Sequence, residues 1–247
     1  MSNVIIENVR NELTQKNELR IGINASNFLL VSHIDDSGIP FGIAPDLGRI
    51  FAQQIKANPK FVVYDSPGEL ADAGTERNWD IAFVGNEPQR AKNIAFSAPY
   101  LEIPVTFLVR EHSTIRVMTD IDHVGNQISV MGRSAYDLWL SENLACAEIV
   151  RCDSIDASHE MFRQGKTEVL ASLKPKLREE ISRTSGVRII DPPFTGIQQA
   201  VGVRKGYPDI VDYLNALIIR LIEDGFIADS MASHKVEHSL SIPANSG

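Results

Sequence analysis

The chain has 247 residues, 43% of them hydrophobic and 23% charged, with a formal net charge of -8 at pH 7. That composition suits one large globular domain or two modest ones. No cluster of Lys and Arg is present to displace phosphate counterions, which argues against a nucleic-acid surface, and no stretch approaches the roughly 20 apolar residues of a membrane-spanning helix.

At the start, Val4, Ile5, Val9 and Leu13 recur at helical spacing, so residues 1–17 read as an amphipathic helical extension. Glu7 and Glu12, and the lack of a basic region before an apolar run, speak against a signal peptide. Leu19 to Ile23 is a short apolar strand. Leu47, Ile50, Phe51 and Ile55 give one face of a helix, and Phe61 to Tyr64 the next strand. Ser66-Pro67-Gly68-Glu69 opens another helix, with Ser66 as cap, Pro67 in first position and Glu69 completing a capping box. Asp80 to Val84 and Val105 to Val109 are further strands. Strands and helices alternating at this spacing predict parallel strands joined by crossover helices.

The pattern then restarts. Gln127 to Met131 is a strand, followed by Gly132-Arg133-Ser134 and a helix through Tyr136, Leu138, Trp139 and Leu140. Ile149-Val150 is a strand, 155–164 a helix, and Glu168 to Leu173 a strand. Residues 187–191 and Ala200 to Val203 are strands, and Ile210, Leu214, Leu217, Ile218 and Leu221 mark a strong helix ending near Gly225. Cys146 and Cys152 fall in one strand at ~3.3 Å per residue, about 20 Å apart and too far for a disulfide. Unpaired thiols and the absence of a leader favour the cytoplasm, with the periplasm as the alternative for a chain whose leader has been removed. Two short α/β lobes predict a cleft between them, with ligand contacts where strands run into helix N-termini. Those places are Asn24–Phe28, Gly85–Arg90 and Gly132–Ser134.

An ordered set of motifs sharpens this expectation: Gly42-Ile43-Ala44-Pro45-Asp46-Leu47, Trp79-Asp80-Ile81-Ala82, Glu87-Pro88-Gln89-Arg90, and Ile94-Ala95-Phe96-Ser97-Ala98-Pro99-Tyr100. From about Leu19 to about Ser233 the chain resembles the family 3 solute-binding proteins, the amino-acid-binding receptors of bacterial ABC importers. The resemblance implies a periplasmic-binding-protein-like type II fold, two α/β lobes joined by two hinge strands. It assigns 18–109 plus 195–247 to lobe 1 and 110–194 to lobe 2, with hinges near 108–112 and 190–195.

Carried over to this chain, the resemblance makes Arg90 the carboxylate fork, where position alone would leave a surface Arg. Ser134 stands at a helix N-terminus that favours an anion, although with Asp137 it also reads as a plain capping box. Gly85 and Asn86 replace the family's Ser/Thr-bearing segment. Asn24, Asn27 and Phe28 occupy the loop that carries an aromatic lid in relatives, with Asn27 at the aromatic position. Leu173 stands where relatives that bind α-amino acids place an acid, and a buried ammonium without a counter-charge costs several kcal/mol. With Arg133 and Lys174 nearby, the pocket reads as suited to negative charge; otherwise both are solvated cations. His234 and His238 are one helical turn apart but lack further ligand types, so no metal and no cofactor is expected.

The leading function is therefore non-catalytic binding of a small organic anion, as a transport receptor partnered by an ABC importer membrane component or as a ligand sensor, with no nucleic acid and no direct membrane insertion. The alternative is a lyase of the cyclohexadienyl dehydratase type on the same scaffold. Such a lyase needs a carboxylic acid in the cleft, for which Glu87 and Glu102 are the candidates.

Overall fold

The computed structural model describes residues 3–243. It divides into two compact units: unit 1 holds the chain up to Glu102 and again from Gln198, and unit 2 is Ile103–Ile197. The chain leaves unit 1 within strand β7 (Leu101–Arg110) and returns within β12 (Thr195–Arg204).

Unit 1 comprises α1 (Asn3–Leu13), β1 (Glu18–Asn24), the short hairpin β2 (His33–Ile34) and β3 (Pro40–Phe41), α2 (Ile43–Gln54), β4 (Asn58–Tyr64), α3 (Pro67–Thr75), β5 (Ile81–Gly85) and β6 (Ile94–Phe96). After β12 come α7 (Pro208–Glu223) and α8 (Phe226–Ser233). β1 lies between β4 and β5 and is parallel to both, which puts Asn24 opposite Tyr64 at the carboxyl ends. β12 runs antiparallel to β5, and β6 antiparallel to β12. Trp79 is wholly buried with Leu70, Ala73, Ala82, Val84 and Ile94. Its indole N–H donates to the Leu70 carbonyl at 2.8 Å, so the large apolar ring is buried without stranding its donor. Gly74 makes room for the ring: an added Cβ there would stand 2.3 Å from Trp79 Cζ2.

The expected start of α3 holds in its first half. Ser66 Oγ accepts the Glu69 N–H at 3.2 Å and Pro67 occupies the first turn, while no return bond from the Glu69 side chain is present among the described residues. In α1, Val9 and Leu13 are buried, but Val4 and Ile5 are exposed, so only half of its apolar stripe is packed.

Unit 2 comprises most of β7, then β8 (Gln127–Met131), α4 (Ala135–Asn143), β9 (Glu148–Cys152), α5 (Ile155–Arg163), β10 (Val169–Leu173), α6 (Lys174–Arg183) and β11 (Val187–Ile189). β8 is flanked by parallel β9 and β10, and β7 is antiparallel to both β10 and β11. Leu108, Phe162, Leu170 and Leu177 form a core against which Val187 and Ile189 pack. Cys146 lies outside β9, exposed, and Cys152 ends that strand, buried; both thiols are free. The expected single strand holding both is thus corrected, because Asp122 accepts the backbone N–H groups of residues 145–147 and holds that stretch as a turn.

Candidate functional site

The carboxyl ends of the unit 1 strands gather several of the expected residues. Gly85 is buried and ends β5, and the polypeptide then tightens into a single 3-10 turn, Arg90–Lys92. Arg90 is only 7% exposed, and its Nη1 donates to the Gly85 carbonyl at 3.1 Å. A guanidinium holds its charge when buried and carries five N–H donors in a planar fork, so this is a fixed positive group at the strand end. Asn86 is exposed; its N–H donates to the Gln198 carbonyl at 2.8 Å, which anchors the loop to β12.

The loop after β1 is braced from inside. Asn24 Oδ1 accepts both the Ser26 N–H, at 3.2 Å, and the Ser26 hydroxyl, at 2.7 Å, so this side chain shapes the turn. The Asn27 carbonyl accepts the N–H groups of Leu30 and Val31, and Phe28 is half-buried. Among the described residues, Asn27 Oδ1 is buried with no hydrogen-bond partner, and so is the Tyr64 hydroxyl at the end of neighbouring β4. Burial pushes the Tyr64 pKa up, with Arg20 opposing. Tyr64 was not among the sequence candidates. The available signal was its register, since a tyrosine ending the strand beside Asn24 borders the same loop.

The Ser97-to-Tyr100 motif turns out to be architectural. Ser97 Oγ accepts the Val201 N–H at 3.0 Å, and Tyr100 is wholly buried with its ring edge-on to Phe83, its pKa pushed far up by burial. Asp80 is likewise committed, taking the Arg20 guanidinium at 2.6 Å. His234 binds Asp46 at 2.8 Å and ties α8 to α2, while His238 is exposed.

In unit 2, Gly132-Arg133-Ser134 follows β8. Gly132 N–H donates to the Cys152 carbonyl at 2.8 Å, and Arg133 is exposed with φ 61. Ser134 is buried and caps α4 by accepting the Asp137 N–H at 3.1 Å, while Asp137 accepts the Arg133 N–H at 2.6 Å. Asp137 also takes Arg151 at 2.9 Å. An anionic side chain therefore already sits on the helix N-terminus, which lowers its pull on an external anion. Leu173 is buried at the end of β10. Lys174 follows as the first residue of α6, and its ammonium pairs with Asp191. Tyr136 is fully buried and its pKa is pushed up to about 12, with Ser134, Ser172 and the Met131 backbone pulling against that rise.

Glu102 is hydrogen-bonded by the Gln198 side-chain amide, and Glu87 is half-buried in the segment leading to Arg90. Among the described residues there is no group of three or more His, Cys, Asp or Glu side chains that could hold a metal ion, and no helix long and apolar enough to cross a membrane.

Residues 19–234 match the family model of bacterial extracellular solute-binding proteins, family 3. The L-cystine-binding protein TcyJ of Escherichia coli (strain K12) is 24% identical over 200 residues, 75% of this chain and 74% of that protein. A mutant of ArgBP from T. maritima superposes with TM-score 0.75 at 19% identity, covering 92% of this chain and 99% of that one. The ancestral amino acid-binding protein AncCDT-1, a precursor of cyclohexadienyl dehydratase, gives TM-score 0.73 at 20% identity, covering 90% of this chain and 97% of that one. The fold is that of type II periplasmic binding proteins. The family is described as extracellular, which lends no support to the cytoplasmic expectation.

Proposed function

The chain belongs to the bacterial extracellular solute-binding proteins, family 3, and from that premise we propose that it binds, without converting, a small organic anion whose carboxylate is taken by Arg90. The observation that carries this reading is the buried guanidinium at the carboxyl end of β5, 3.1 Å from the Gly85 carbonyl. A charge-assisted fork in a desolvated place is worth far more than the same Arg in water. The bound protein would then serve as a transport receptor for an ABC importer membrane component, or as a ligand sensor.

The apolar Leu173 side chain supports a ligand without an α-ammonium, since the last residue of β10 offers no carboxylate of its own and the neighbouring Asp191 is taken up by Lys174. A second reading, a standard amino acid, draws on the buried, unpartnered Asn27 Oδ1, an acceptor that an ammonium would satisfy. The relatives named for cystine and amino acids favour it too. The lyase alternative has weaker support, because Glu102 is held by Gln198.

The test is calorimetric titration of paired amino acids and their deaminated analogues into the unmodified protein, Arg90→Ala and Leu173→Asp. Arg90→Ala is expected to lose about 2–4 kcal/mol of affinity while staying folded. The deaminated analogue should bind the unmodified protein at least about tenfold more tightly than the amino acid, equivalent to 1.4 kcal/mol, and Leu173→Asp should reverse the order. Unchanged binding by Arg90→Ala removes Arg90 from the site. Tight amino-acid binding by the unmodified protein selects the second reading.

A further inference from the structure

Behind β10, unit 2 buries a polar chain that none of the binding residues uses. His159 on α5 is 1% exposed, Glu180 on α6 is 3% exposed, and Ser172 on β10 is fully buried. His159 Nδ1 lies 2.8 Å from Glu180 Oε2, and Nε2 lies 3.1 Å from Ser172 Oγ. Glu180 is also held by Arg163 Nη1 at 2.8 Å and by the Thr184 hydroxyl at 2.6 Å. The spacing is that of a serine–histidine–carboxylate nucleophile, yet a hydroxyl with no exposed surface meets no substrate carbonyl. A catalytic role is therefore set aside.

Proton order in this chain follows from its chemistry. An ionised Glu180 only accepts, so Nδ1 carries the imidazole proton, and in the neutral ring Nε2 is then an acceptor. The Ser172 hydroxyl must donate to it. We propose that His159 is a positioning residue: locked in one tautomer by Glu180, it accepts a hydrogen bond from the Ser172 hydroxyl and thereby fixes the carboxyl end of β10 at Leu173 and the start of α6 at Lys174. The inference rests on the reading of that strand end as part of the ligand-binding surface.

The device is proton-sensitive. A second proton on His159 would turn Nε2 into a donor facing a donor, and Ser172 would have to rotate its proton away, toward the buried Tyr136. The charged groups around the ring are Glu180 and Lys176 from α6, and Arg163, Glu160 and Asp156 from α5. β10 and β8 bring no charge, and the charged residues of β9 are engaged elsewhere, Glu148 with Gln127 and Arg151 with Asp137. Burial holds the imidazole pKa below its ordinary value, with Glu180 opposing and Lys176 and Arg163 assisting.

The experiment is nitrogen-resolved NMR of the six histidines and of the backbone amides across pH 5–8. His159 is expected as the Nδ1–H tautomer, taking up its second proton below the ordinary histidine value. The Leu173 and Lys174 amide shifts should follow the His159 ring as it titrates and lose that step in His159→Gln. Ser172→Ala should keep the Glu180 bond but uncouple those amides, and it carries the comparison if His159→Gln does not fold. The opposite tautomer, or Leu173 and Lys174 amides indifferent to the ring in the unmodified protein, overturns the proposal. No ligand enters these readings, so they stand or fall apart from the calorimetry that tests Arg90 and Leu173.

Discussion

The two units are built on the same alternation of strand and helix but spend their interiors differently. Unit 1 closes around Trp79, Leu70, Ala73, Ala82, Val84 and Ile94; of its polar groups Trp79 Nε1 and Ser97 Oγ bond to backbone, and the buried Asp80 pairs with the part-exposed Arg20 at the margin. Unit 2 also has an apolar cluster, but beside it His159, Glu180 and Ser172 are bonded to one another, with Asp137 buried nearby on Arg151. An apolar interior is specified by volume, and a hydrogen-bonded polar one by protonation and direction. The same architecture can thus be sensitive to packing in one half and to pH in the other.

The largest expected effect tests the packing half. Trp79→Ala removes the biggest side chain of the unit 1 core and frees the Leu70 carbonyl, so it should cost about 3–5 kcal/mol of stability. Urea denaturation followed by circular dichroism, with hydrogen exchange resolved by peptide, should place the loss in unit 1. An equal rise in exchange across β8 to β10 would break the comparison.

A smaller effect tests the protonation half. His159 has a folded pKa below the unfolded 6.5, so the unfolded chain takes up the extra proton first. Its contribution is fully present above about pH 6.5 and declines as pH falls through the depressed folded value. Glu180 follows the same rule lower down. Its pKa is pulled below 4.5 by Thr184, His159 and Arg163 against the opposing, largest effect of burial, so its contribution fades as pH falls below 4.5. Among the described residues no histidine of unit 1 is buried: His33 and His238 are exposed and His234 half-buried. Between pH 6.5 and 5, amide exchange should therefore quicken in α5, α6 and β10 before it does in α3 and β5. Simultaneous loss of protection in both units would remove the distinction.

Most of the framework was legible because it rests on periodicity. β8 was read to the residue, and the strands β1, β4, β5 and β10 to within three residues at either end, since their apolar runs are bounded by turn or capping residues. α6 was not foreseen: it begins at Lys174 directly after β10, with no loop between them and a strongly polar sequence. β6 and the β2–β3 hairpin are too short to show a period. For the proposed site, the family resemblance pointed to Arg90, and the structure supplies its burial. The Ser134 cap of α4, with Asp137 three residues on, follows from spacing, but sequence could not reveal that Asn24 braces Ser26 or that Lys174 is paired with Asp191. These are partnerships set by long-range packing or by turn geometry, and a linear pattern carries no trace of them.

The smallest expected effect falls on that last point and turns on Lys174. The Lys174–Asp191 pair is semi-exposed, with 18% and 60% of the two side chains accessible. Solvent screening and side-chain entropy limit such a pair to roughly 0–1 kcal/mol, so Asp191→Asn should barely move the urea midpoint, and less still in high salt. Its effect on binding has a different sign. If the ammonium of Lys174 lies within reach of a second acidic group on the ligand, releasing it from Asp191 should tighten a dicarboxylate and leave the matched monocarboxylate unchanged. Lys174→Ala should weaken the dicarboxylate alone. Calorimetry with succinate and butyrate on both variants measures this directly. Equal responses to the two acids would make the pair a surface contact of unit 2 with no part in recognition.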